Sequence, residues 1–156
     1  MTSSNKTNKI AYACDHRGFA FKAPIAEIVK KLGFQMIDCG TNSEESADYP
    51  DFMFAAAEKV SKGECDFAIG VCHSGIGSAI AANKVLGVRA ALVHNVEEAG
   101  LSRAHNNANM LILGAGFLSQ QILPELVEKF LKTPFEGGRH ERRVDKIKQY
   151  EQSHCE

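Results

Sequence analysis

A chain of 156 residues with a formal net charge of −1 carries no broad basic field, which excludes nucleic acid and membrane surfaces as main partners. Any bound anion must then be held by local positive groups. That length buries one core, so one domain is expected over residues 9–156, behind a disordered polar leader over residues 1–8. Met1 to Lys9 lack the apolar stretch of a signal peptide or membrane span, and a cytoplasmic location is the expectation. Cys14, Cys39, Cys65, Cys72 and Cys155 form an odd, scattered set without a CxxC pair, which argues against a disulfide framework and a zinc knuckle.

In chain order, short apolar runs predict strands at Ile10 to Cys14, Phe34 to Asp38, Phe67 to Val71, Arg89 to Val93 and Met110 to Leu113. Between and after them, Phe19 to Leu32, Asp51 to Ser61, Gly77 to Val85, Val96 to His105 and Ser119 to Lys132 carry apolar residues at helical spacing, several closed by a glycine. Pro124 suggests a kink or a late start in the last of these. A further helix is expected from about Arg139 to Gln152, after the Gly137-Gly138 pair. Runs such as FAIGV and MLILG are apolar at nearly every position, as strands buried on both faces must be, so the fold predicted is a three-layer α/β/α sandwich around a parallel sheet. In such sheets ligands bind beyond the carboxyl ends of the strands.

The loop after the third strand reads Cys72-His73-Ser74-Gly75-Ile76-Gly77-Ser78. Its glycines let successive backbone N–H groups face one point at a helix start, so it can hold an oxyanion or a phosphate, and it brings a thiol to the active edge. The same loop also reads as a tight turn with Cys72 as the last core residue. After the first strand, Asp15 and His16 could transfer protons or help hold an anion; Asp15 as a helix cap beside an exposed His16 reads equally well. Cys14 reads as packed. His105 and Asn106 close the fourth helix in a polar turn that alone says little. Arg139 and Arg143, four apart, share a helix face that suits a phosphate or, as commonly, a solvated face or an ion pair.

As a set, ACDHRGF, DCGT followed by DYPDF, VCHSGIGSAIAANKVLGVRAAL, LSRAHNNANMLILG and FEGGRHERRV resemble the type B ribose-5-phosphate isomerases, whose family also includes allose- and galactose-phosphate isomerases. The resemblance runs from about Lys9 to Gln152. It implies a five-stranded, Rossmann-like parallel sheet ordered 2-1-3-5-4, with the extra C-terminal helix, and a homodimer, or a tetramer of paired dimers, with active sites between subunits. It further implies that Cys72 is the base moving a proton between C2 and C1 of the substrate, and that Ser74 relays a proton between the two oxygens. Gly75, Gly77 and Ser78 belong to the loop that shapes the enediolate nest. Asp15 and His105 resemble the pair that opens the sugar ring, with His105 and Asn106 reaching in from the partner chain. Tyr49 resembles a residue lining the pocket, and His16, Arg139 and Arg143 resemble phosphate ligands.

The thiol at Cys72, with Ser78 where another branch has glutamate, places the chain in the thiol branch. His73 stands where relatives commonly carry glycine, so the turn bends differently or His73 reaches the thiol. LGAGFL lacks the arginine some relatives carry after the fifth strand. The expected reaction interconverts D-ribose 5-phosphate and D-ribulose 5-phosphate without metal or cofactor. Its rivals are a six-carbon aldose 6-phosphate isomerase and a non-catalytic phosphosugar-binding module; a thiol with a serine, an acid and a histidine argues against the latter.

Overall fold

The computed structural model describes residues 5–155. Its elements alternate as β1 (Lys9–Cys14), α1 (Lys22–Lys31), β2 (Gln35–Asp38), α2 (Tyr49–Ser61), β3 (Phe67–Cys72), α3 (Ile76–Ala82), β4 (Ala90–Leu92), α4 (Val96–Asn106), β5 (Met110–Gly114), α5 (Leu123–Lys132) and α6 (Arg139–Ser153). All strand pairs are parallel, in the order β2-β1-β3-β5-β4. The expected three-layer sandwich and strand order are therefore present. No helix among the described residues is long and apolar enough to cross a membrane.

The three central strands are buried almost throughout because helices cover both faces of the sheet. On one face Phe21, Ile25 and Val29 meet Leu123, Leu126, Val127 and Phe130 beneath Ile10, Tyr12, Ile69 and Leu111. On the other, Met53, Ala56 and Ala57 of α2 and Ala81 and Ala82 of α3 pack on Ala11, Ala13, Ala68 and Ile112. The second face is built from small residues, so α2 and α3 approach the sheet closely. Each large side chain buried on the first face contributes roughly 1.5–3 kcal/mol.

Several boundaries differ from the sequence reading. α2 starts at Tyr49 rather than Asp51, because Pro50 has its φ preset for the first turn and needs no N–H donor there. α5 starts late, at Leu123, after a 3-10 turn over Gln120–Ile122 that is capped by Ser119, whose Oγ accepts the Gln121 N–H at 3.2 Å; Pro124 then falls in the first turn of α5. α3 stops at Ala82 because Asn83 turns its side chain to β4: Nδ2 donates to the carbonyls of Ala79 and Ala90 at 2.9 Å, and Oδ1 accepts from the Ala90 N–H at 2.8 Å. Residues 1–4 of the expected leader lie outside the described residues, whereas Thr7 and Asn8 are tied down. Asp66 accepts from the Thr7 N–H at 2.8 Å and the Asn8 N–H at 2.9 Å, and the Asn8 carbonyl accepts the Gln35 N–H at 2.9 Å.

Candidate active site

Cys72 is the last residue of β3 and only 5% exposed, and its Sγ accepts the Gly75 N–H at 3.2 Å. Gly75 makes this contact from φ 80°, the left-handed region that glycine enters without strain, and a Cβ there would lie 2.4 Å from Leu92 Cδ1. Ser74 Oγ accepts the Ile76 N–H at 3.2 Å. The N–H groups of Gly77 and Ser78, in the first turn of α3, make no hydrogen bond among the described residues, and the buried Ser78 hydroxyl has no partner either. A thiol, a hydroxyl and two free backbone donors thus stand within one turn of chain.

The β1 loop arrives beside it. The register that pairs Cys14 with Val71 brings Asp15 alongside Cys72. Asp15 Oδ1 accepts the N–H groups of Arg17 at 2.9 Å and Gly18 at 3.2 Å, closing its own turn rather than capping α1, whose N-cap is Phe21. His16 Nδ1 accepts the Ala47 N–H at 3.2 Å, so a neutral ring carries its proton on Nε2, ready to donate. Tyr49 leans on Gly77: a Cβ at Gly77 would lie 2.5 Å from Tyr49 Cζ and 2.6 Å from its oxygen. His73 is exposed, and its ring rests on Gly116 with its centroid 5.8 Å from that of Phe117, without a hydrogen bond to the thiol. His73 therefore covers the LGAGFL segment. Cys14 is fully buried, as its sequence context implies, and burial raises its thiol to about 11.

His105 and Asn106 lie elsewhere. They end α4, which runs back against the strands and delivers the chain to the start of β5, so they stand at the amino edge of the sheet while Cys72 stands at the carboxyl edge. Their turn is held by two arginines. Arg89 Nε donates to the carbonyls of Asn106 and Asn107 at 3.1 Å, and Arg103 Nη1 to Asn107 Oδ1 at 2.9 Å and the Ala108 carbonyl at 2.6 Å. Burial lowers both guanidiniums from the ordinary arginine value, and they place positive charge where the α4 carbonyls end.

The His105 ring stacks on His140 of α6 at 4.2 Å and 7°. The Glu136 carboxylate reaches both rings, with Oε2 3.8 Å from His105 Nε2 and 3.5 Å from His140 Nε2, and its own N–H donates to the Ala104 carbonyl at 3.0 Å. Burial first, then the neighbouring His105 and Arg139 charges, lowers the His140 pKa below the ordinary histidine value, against an opposing pull from Glu136. Arg139 and Arg143 are exposed on α6 and form no ion pair among the described residues. The structure therefore gathers Asp15, His16, Tyr49, Cys72 and the 74–78 loop at one edge, and His105, Asn106, Arg139 and Arg143 at the other. Glu136 and His140 are not among the residues singled out from sequence; their four-residue spacing across the start of α6 is the signal that marks them.

A parallel α/β/α sheet with its reactive groups and free amide donors beyond the strand ends defines a domain built to bind and transform a small anionic substrate. The model of the ribose/galactose isomerase family matches residues 10–147. A probable ribose-5-phosphate isomerase B from Mycoplasma genitalium is 46% identical over 144 residues, 91% of this chain and 95% of the relative. The solved ribose-5-phosphate isomerase B of Clostridium thermocellum superposes with a TM-score of 0.91 at 46% identity, covering 94% of this chain and 99% of that one. The M. genitalium enzyme solved with bound ribulose-5-phosphate gives 0.88 at 45% identity over 92% of this chain and 96% of that one. The chain belongs to the ribose/galactose isomerase family.

Proposed function

We propose that this protein is an aldose–ketose isomerase that interconverts D-ribose 5-phosphate and D-ribulose 5-phosphate. The observation that carries this reading is the likeness, across nearly the whole chain, to an enzyme solved with ribulose-5-phosphate bound. The local chemistry supports it: a carboxyl-edge thiol meets a backbone donor, next to a hydroxyl, an acid and two unpaired amides.

In the proposed mechanism Asp15 and His105 open the furanose ring. The Cys72 thiolate takes the C2 proton of the aldehyde form, and electrons move onto O1 as the enediolate forms. Ser74 passes the O2 proton to O1, and the Cys72 thiol returns its proton to C1, leaving the C2 ketone. The amides of Gly77 and Ser78 carry the negative charge, and preorganised donors of this kind contribute about 3 kcal/mol each to oxyanion stabilisation. Tyr49 walls the pocket, with His73 at its mouth. His16 Nε2–H, Arg139 and Arg143 bind the phosphate, where arginine forks fit paired oxygens.

One chain holds the two residue groups at opposite edges, so a complete site is assembled from two copies, with His105, Asn106, Arg139 and Arg143 from one facing Cys72 of the other. The exposed apolar surface of Ile76 and Ile80 on α3, with Phe54 on α2, supports a homodimer through that region. Five free thiols support a reducing, cytoplasmic setting.

The test is direct assay of ribulose 5-phosphate formed from ribose 5-phosphate, run beside allose 6-phosphate. Faster turnover of the five-carbon substrate is expected. Preference for the six-carbon substrate would replace the substrate assignment, and inactivity on both would overturn the isomerase reading.

A further inference from the structure

We infer that His105, Glu136 and His140 form a binding site for a divalent transition-metal ion of the Zn2+ type. One ligand atom from each of the three lies within 4.8 Å of the others. Tetrahedral zinc with bonds of about 2.0–2.1 Å holds neighbouring ligand atoms roughly 3.3 Å apart. Glu136 Oε2 is already 3.5 Å from His140 Nε2 and 3.8 Å from His105 Nε2, so modest closure brings all three into range.

A second observation points to a ligand. His140 Nε2 is buried, aimed at this cluster, and has no hydrogen-bond partner; the carboxylate oxygen 3.5 Å away falls outside hydrogen-bond geometry. With its side chain only 9% exposed, His140 is the fixed member of the set. An unsatisfied buried imidazole nitrogen costs stability unless something completes it, and a metal ion does so. The other two ligands can move: the Glu136 side chain is 58% exposed and that of His105 37%. The parallel stack must open by rotation of His105 for both Nε2 atoms to converge on one ion. Two imidazoles with one carboxylate suit Zn2+ and its neighbours rather than Mg2+ or Ca2+, and leave a fourth position to water. Arg139 and Arg143 lie close enough to oppose a cation, so the site is a moderate binder open to exchange.

The binding site rests on geometry alone. Its consequence for turnover rests on the reading of His105 as a ring-opening residue: metal capture of Nε2 removes that group, so Zn2+ inhibits isomerisation reversibly.

Isothermal titration of chelator-treated full-length protein with ZnCl2, and optical titration with CoCl2, test the site. One ion per chain is expected, with affinity reduced more than roughly tenfold in Glu136→Gln, which alters an exposed side chain, and in His140→Gln. Wild-type protein that binds neither metal, variants that bind as wild type does, or a sulfur-to-cobalt charge-transfer band marking a cysteine ligand would each overturn the site. Zinc inhibition measured alongside separates the two readings. Binding at this cluster without inhibition contradicts the role of His105 and leaves the metal site standing.

Discussion

Gly114 at the end of β5 lies so close to Ser74 that a Cβ added there would be 2.6 Å from the Ser74 carbonyl oxygen and 3.2 Å from that of His73. The loop carrying the proposed base and relay is thus seated on the backbone of the neighbouring strand, which holds Ser74 and Cys72 in fixed relation. The Ala115 N–H completes the seat by donating to the Cys72 carbonyl at 2.8 Å.

Gly114→Ala and Gly77→Ala should therefore differ. At Gly114 the obstacle is backbone, so the loop must shift; a cost of about 1–3 kcal/mol and a large fall in kcat are expected. At Gly77 the obstacle is the half-exposed Tyr49 ring, which can swing aside. Thermal melts should change little there while KM rises. Steady-state kinetics with thermal denaturation of both variants checks the contrast.

Placement of the two residue groups at opposite sheet edges predicts complementation between chains. Cys72→Ala and His105→Ala proteins should each be impaired alone. Mixed and reassembled, half of the random dimers are hybrids, each with one intact site, so recovery of up to about a quarter of wild-type activity is expected. No recovery despite verified subunit exchange would contradict a site shared between chains.

The raised Cys14 thiol predicts selective chemistry and a pH trend. At pH 8 a thiol titrating at about 11 is roughly one part in a thousand thiolate, so iodoacetamide should spare Cys14 in the folded protein and label exposed Cys155. Because the folded value lies above the ordinary 9.0, the unfolded chain loses this proton first as pH rises. Cys14 then weakens the fold progressively between about pH 9 and 11, and buried Tyr12, also raised by burial, adds to the loss at higher pH. Peptide mapping after alkylation and denaturant melts across that range measure both effects.

The sheet was legible because β1, β3 and β5 are apolar at almost every position, a pattern only burial on both faces requires. Boundaries set by distant contacts were not. Asn83 ends α3 through bonds to β4, and nothing in the local run IGSAIAANKV announces that partner. The 72–78 loop was legible through its glycines at a strand-to-helix junction. The direction in which His73 turns was not, since its ring rests on Gly116 just after β5, a strand that neighbours β3 in the sheet but lies far from it in sequence. Glu136 gains its place beside His105 only when α6 packs on α4, so its neighbours in sequence gave it no weight.

Whether Cys72 moves the proton is decided by ribulose 5-phosphate formation in Cys72→Ala. Loss of roughly 10³-fold or more in kcat is expected, with the melting temperature and ribose 5-phosphate binding close to wild type. A folded Cys72→Ala protein that turns over substrate at a rate near wild type would show that another group is the base.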